Sequence, residues 1–234
     1  MEQPSSQQYE SIRMIQGALG KTLGPGELGV LLAWTGVGKT ACLTHLALEQ
    51  LLKGASVLHV CIDETPEKIK VWYHELLKNG VAPLAGEDFT ALQYRIEPLR
   101  FILAFVNQSF QLSKLEQSLA NLKDQAGFSP SMAVIDGLDF DRVERSTIEG
   151  LKQFAKASGL AVWLSARRHR HIATQNDRGI PYPCHETDDL FNSILLLEPS
   201  SGSVSLQVLK LGDSYRPDHP GMVLNPQTYF IEKP

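Results

Sequence analysis

Ala33-Trp34-Thr35-Gly36-Val37-Gly38-Lys39-Thr40 is the stretch on which the reading of the chain turns. An apolar run, Gly29-Val30-Leu31-Leu32, leads into it, and Cys42-Leu43-Thr44-His45-Leu46-Ala47-Leu48 follows with helical character. Strand, glycine-bearing turn, Lys-Thr and helix make up the layout of a phosphate-binding P-loop. Gly36 and Gly38 let the backbone curl so that N–H groups from Thr35, Gly36, Val37 and Gly38 through Lys39, Thr40 and Ala41 point at phosphate oxygens. The helix starting near Lys39 adds its positive dipole end. Lys39 supplies a mobile charge for the outer phosphates, and the Thr40 hydroxyl is a ligand for the accompanying Mg2+. One letter departs: the pattern opens on Gly, and Ala33 stands there. The competing reading is a chance strand–turn–helix with a buried lysine. The flanking strand and helix favour a nucleotide site.

Composition sets the frame around this site. With 234 residues, 43% hydrophobic and 21% charged, the chain has the make-up of an ordinary globular protein. Its net charge of −4 argues against broad nucleic-acid binding while leaving room for a local basic patch. No apolar run reaches membrane-spanning length. The start, Met-Glu-Gln-Pro-Ser-Ser-Gln-Gln, lacks the basic beginning and apolar centre of a signal peptide, so a cytoplasmic location is the expectation. Cys42, Cys61 and Cys184 are odd in number and far apart, which suits small apolar filler better than a disulfide, a metal site or a nucleophile.

Outward from the P-loop, residues 1–20 read as an arm with a short amphipathic helix on Ile12, Ile15 and Leu19, and residues 21–234 as one α/β domain. Ser56–Ile62 is a second, nearly continuous apolar strand, as in a parallel sheet covered on both faces. Thr65-Pro66 starts a helix running to Asn79-Gly80. A strand is expected over Ala91–Ile96 and helical sequence between Arg100 and Gly127, where Leu112, Leu115, Leu119 and Leu122 form a core-facing stripe. Met132–Ile135 and Leu160–Ser165 are further buried strands, with a helix over Ser146–Ser158 between them. Residues 167–188 read as a long loop. Ile194–Leu197, Val204–Lys210, Met222–Leu224 and Tyr229–Ile231 read as short strands that continue the same sheet in a β-rich, antiparallel extension.

Two strands end in acids, and ligands of open parallel sheets bind beyond the carboxyl ends of strands. Asp136 follows four apolar residues, the placement of an aspartate that holds magnesium; the alternative is a plain Asp-Gly turn. Asp139 is a candidate supporting acid. Asp63 and Glu64 close the second strand, expected beside the P-loop strand. A carboxylate there can orient or deprotonate an attacking water, or simply favour the helix start at Thr65-Pro66.

The run of segments GELGVLLAWTGVGKT, VLHVCIDETPEKI, SMAVIDGLDF, LAVWLSA, DDLFNSILLLE and VSLQVLKLGDS resembles the RecA superfamily, above all its KaiC- and RadA-like branch and the DnaB-type helicases. These segments span residues 26–214. The resemblance implies a RecA-like fold, a mostly parallel sheet flanked by helices, with ATP and Mg2+ as ligands. Ala33 matches the DnaB-type P-loop, and Asp63-Glu64-Thr65-Pro66 matches the acidic pair of KaiC-like proteins, which implies Glu64 as the catalytic carboxylate. The polar sensor that often ends the fourth strand is unassigned, with Ser165 nearest. Lys210 fits a lysine that reaches a neighbouring subunit's nucleotide, but Gly212 replaces its arginine partner; Arg216 is the substitute candidate. Losing such an arginine predicts slow hydrolysis or an altered oligomer.

The expectation is therefore an ATP-binding, Mg-dependent ATPase with a regulatory or assembly role. Its partners would be ATP, further copies of itself (a hexamer by resemblance) and a protein partner. A nucleotide-dependent interaction module with little hydrolysis is the alternative. A nucleic-acid-dependent ATPase would use the basic run Arg167–His171, which reads more simply as a loop paired with acids such as Glu186, Asp188 and Asp189. Kinase chemistry would suit the same phosphate site. Adenine is implied by the resemblance, and no Asn-Lys-x-Asp guanine-reading motif occurs.

Overall fold

In the computed structural model, residues 15, 19–20, 23–106, 109–200, 202–216, 222–225, 228 and 230 are described. In chain order they form β1 (Leu28–Ala33), α1 (Lys39–Leu52), β2 (Val57–Ile62), α2 (Pro66–Leu76), a π-helical turn (Leu77–Val81) and α3 (Ala82–Ala85). Next come α4 (Phe89–Ile96), β3 (Arg100–Phe105), α5 (Leu112–Ala126), β4 (Met132–Asp136), α6 (Arg145–Ser158) and β5 (Ala161–Arg167). The chain closes with β6 (Ser193–Ser200), β7 (Ser203–Leu211), β8 (Ser214–Tyr215) and β9 (Met222–Leu224). One sheet holds all nine strands in the order β3-β2-β4-β5-β1-β6-β7-β8, with β9 also on β7. Strands β1 to β6 run parallel, and β7 turns antiparallel against β6, β8 and β9.

Successive side chains of a strand face opposite sides, so the apolar runs feed two layers. Leu31, Cys61, Val134 and Trp163 pack with α1, α2 and α4 on one face. Val30, Val60, Ile135 and Leu164 pack with α5 and α6 on the other. In α5 the leucine stripe does face the core, with Leu115 fully buried and Leu112, Leu119 and Leu122 half-buried beside it. All three cysteines are buried and free. Of the N-terminal arm, Ile15 and Leu19 are helical and buried against the α1 layer; Ile12 lies outside the described residues. Of the expected last strand only Phe230 is described, buried against the His45 ring. Among the described residues no helix is long and apolar enough to cross a membrane.

Three expectations are corrected. Residues 89–96 form a helix, not a strand: the Asp88 carboxylate accepts the Ala91 N–H at 2.8 Å as an N-cap, and Leu92 and Ile96 then stack on one face. Residues 100–105 form a strand, β3, not a helix, because the outer edge of β2 takes them in register from Val57–Arg100 to Ile62–Phe105. And β2 does not neighbour β1, since β4 and β5 lie between them.

Candidate functional site

The carboxyl ends of β1, β2, β4 and β5 finish along one edge of the sheet, with Ala33 opposite Arg167 and Cys61 opposite Asp136. Ala33 is still a buried strand residue, and its φ is not among the positive values, so a methyl group fits there without strain. The left-handed turn falls instead on Gly36 (φ 82°) and Gly38 (φ 108°), where glycine is needed. Gly38 is the N-cap of α1; no side chain caps that end, and its first turn holds no acid. The positive end of α1 is therefore open to an anion.

Lys39 bends back over the loop, its Nζ donating to the carbonyls of Trp34 (3.3 Å) and Ala33 (3.5 Å). Burial lowers its pKa, the Asp136 charge works the other way, and Arg167 lowers it further. Two sheet positions away, Asp136 is 7% exposed and both of its oxygens are engaged by hydroxyls. Thr40 Oγ1 donates to Oδ2 at 2.6 Å, and Ser165 Oγ donates to Oδ1 at 2.5 Å. The Gly137 N–H in turn donates to Ser165 Oγ at 3.0 Å. Helix α1, β4 and β5 are thus joined at one carboxylate. A hydroxyl and a carboxylate oxygen side by side are hard oxygen donors of the kind Mg2+ takes, and both hydroxyls can rotate their lone pairs toward a cation. The residues fit the ion.

Glu64 lies further off. Three strand spacings, about 14 Å, separate β2 from β1, and Thr40 closes part of that gap by reaching Asp136. The chain leaves β2 through Asp63, in a left-handed conformation (φ 56°) that Asp tolerates. The Glu64 side chain is 41% exposed and pairs with Lys68 at 2.6 Å. Asp139 stays in its own turn, accepting the Asp141 N–H and pairing with Arg142.

Lys210 sits away from this edge, opposite Ile194 near the start of β6, whereas Arg216 lines a cavity together with Arg168 and Glu198. Lys210 is 6% exposed; its Nζ donates to the Asp188 carbonyl at 2.8 Å and lies 4.8 Å from the Tyr215 ring centre. Desolvation lowers its pKa against the pull of Asp188. The Arg216 guanidinium covers Gly179, where even a Cβ would collide with it.

The basic run is paired with acids of its own chain, as expected of a simple loop, but Arg167, Arg168 and His169 take Asp141 and Glu198 in place of Glu186, Asp188 and Asp189. Arg167 and His169 both meet Asp141, at 3.0 and 2.7 Å, and Arg168 meets Glu198 at 2.6 Å. Arg170 lies over the Trp34 ring at 4.9 Å. Asp141 also accepts the Tyr182 hydroxyl at 2.8 Å. Burial opposes its charge, yet the hydrogen bonds from Tyr182, His169 and Arg167 hold its carboxyl below the usual range. Sequence reading passed over Asp141, for its partners come from residues 26 to 41 positions later. Ser165 did leave a signal: it is a lone hydroxyl near the end of an apolar strand.

No protein-family model matches this chain, and no curated protein matches it.

Proposed function

We propose that this chain is a RecA-like P-loop ATPase, closest in kind to the KaiC- and RadA-like branch, that binds ATP with Mg2+. The observation that carries the reading is the junction of Thr40, Asp136 and Ser165 beside the uncapped start of α1. In this reading the amides of Thr35 to Ala41 wrap the phosphates, and Lys39 exchanges its two carbonyl contacts for phosphate oxygens. Thr40 and Asp136 would hold the magnesium, which would offset charge on the outer phosphates. Ser165 fixes the Asp136 carboxylate from behind. Glu64, released from Lys68, accepts the proton of a water that attacks the γ-phosphorus. The bond from that phosphorus to the bridging oxygen breaks, leaving ADP and inorganic phosphate.

A second reading, a nucleotide-dependent interaction module with little turnover, is favoured by one observation: Lys210 is occupied within its own chain by Asp188. The engagement of Arg167, Arg168 and His169 with acids speaks against a nucleic-acid-dependent enzyme.

Binding of a fluorescent ATP analogue and steady-state ATP turnover, each with Mg2+, separate the readings. Lys39→Ala is expected to abolish binding, and Glu64→Gln to keep binding while slowing turnover about 10²- to 10⁴-fold. Equal turnover in wild type and Glu64→Gln, with binding retained, moves the protein to the second reading. No binding by the wild type rejects both.

A further inference from the structure

The half-open cavity between α2 and α4, lined also by Glu97 and by Arg100 of β3, has a volume of about 270 Å³ and belongs to nothing described so far. Its walls are largely apolar, from Tyr73, Leu77, Phe89 and Ile96, and Lys70 stands at its exposed rim. We propose that this cavity binds a small organic anion, a carboxylate carried on an aryl or alkyl body.

The argument starts from Arg100. Its side chain is only 9% exposed, whereas the Glu97 carboxylate that meets it at 3.3 Å is 54% exposed. A guanidinium stripped of most of its water is thus matched by an acid that remains in solvent, where the attraction is screened. The guanidinium also lies 4.4 Å from the Tyr73 ring centre, a cation–π contact that carries no countercharge. Burial keeps the Tyr73 phenol protonated, and its oxygen is 3.1 Å from His59 Nδ1. The cavity therefore pairs an apolar wall with a buried cation whose one acid on the lining, Glu97, is solvent-exposed, and with a second cation, Lys70, at the mouth. A carboxylate set against Arg100, its hydrocarbon along Phe89 and Leu77, satisfies both. The volume lies just below the usual range for ligand pockets, which suits a small acid.

The test uses the full-length, 15N-labelled protein titrated with benzoate and, separately, with benzyl alcohol, following backbone amide signals. Benzoate is expected to shift the amides of Tyr73, Phe89 and Arg100 and to bind on the order of tenfold more tightly than the alcohol. Arg100→Gln should weaken benzoate about tenfold, Lys70→Gln about twofold, and neither should affect the alcohol. Lys70 is exposed, so its variant tests the proposal even where Arg100→Gln lowers stability. Equal affinity for both compounds, or shifts confined to other surfaces, overturns it. So does a wild-type oligomer that dissociates in Arg100→Gln without any benzoate response, which would make the cavity a contact between copies.

Discussion

Asp136 and Lys210 are equally buried charges, and they are held in opposite ways. Asp136 rests on two hydroxyls, those of Thr40 and Ser165, which can rotate and accept a cation between them. Lys210 rests on a main-chain carbonyl and an aromatic ring, neither of which can turn away. The first arrangement is open to exchange with a ligand. The second is a clasp that ties the 168–187 loop and its following 3₁₀ turn to the β7–β8 hairpin. Burial alone does not tell these two charges apart; the mobility of their partners does.

Substitutions can break this contrast, and the largest effect is expected at the open end. On the proposed ATPase reading, Asp136→Asn should lower Mg-dependent ATP turnover by about a hundredfold or more, near 3 kcal/mol of lost charge-assisted contact. A turnover within a fewfold of wild type would make the junction merely structural.

Next is acid stability, which depends on a residue beside that junction. Burial pushes His59 down to about 4, the Asp136 charge acting against this and Arg100 adding to it. Below about pH 6.5 the unfolded chain takes up a proton that the folded chain refuses, so stability falls between about pH 6.5 and 4, by up to about 3 kcal/mol. Urea midpoints across that range should drop less in His59→Gln than in wild type. Parallel curves would remove His59 from the account.

At the clasp, Lys210→Met should cost about 1 kcal/mol of stability by removing the shorter of the two hydrogen bonds to the Asp188 carbonyl, which keeps the Phe191 N–H at 3.3 Å, with ATP affinity changed less than about twofold. A turnover loss at unchanged stability would show Lys210 serving another subunit's nucleotide and would dissolve the contrast. Smallest is Lys68→Ala: the exposed pair with Glu64 is worth below about 0.5 kcal/mol, so chemical denaturation should scarcely move.

The sequence spoke clearly where one pattern had one reading. Four buried strands, the P-loop turn and the α5 leucine stripe all follow from continuous apolar runs, glycine and helical spacing. It spoke ambiguously at 89–105. Leu92, Tyr94 and Ile96 alternate as a strand would, while Leu92 and Ile96 also sit four apart as a helix requires; the Asp88 cap decides between them. Arg100–Phe105 is a short apolar run that suits either element, and the vacant edge of β2 chooses. Strand order was beyond local reading, because the crossovers that set β4 and β5 between β1 and β2 leave no mark on any one segment. The same holds for the Ser165–Asp136 contact, made across 29 positions, and for Asp141, whose partners arrive with a later loop.

Gly137 carries one last consequence. A Cβ built there would stand 2.5 Å from the Ile62 carbonyl, and the residue's φ is 100°. The exits of β2 and β4 therefore touch backbone to backbone, with no side chain to act as a spacer. Alanine at this position would be a wedge, levering the Asp63–Glu64 turn away from Asp136. The distance between the two acids is set by an absent methyl group, and among single substitutions this one would widen it without altering either carboxylate.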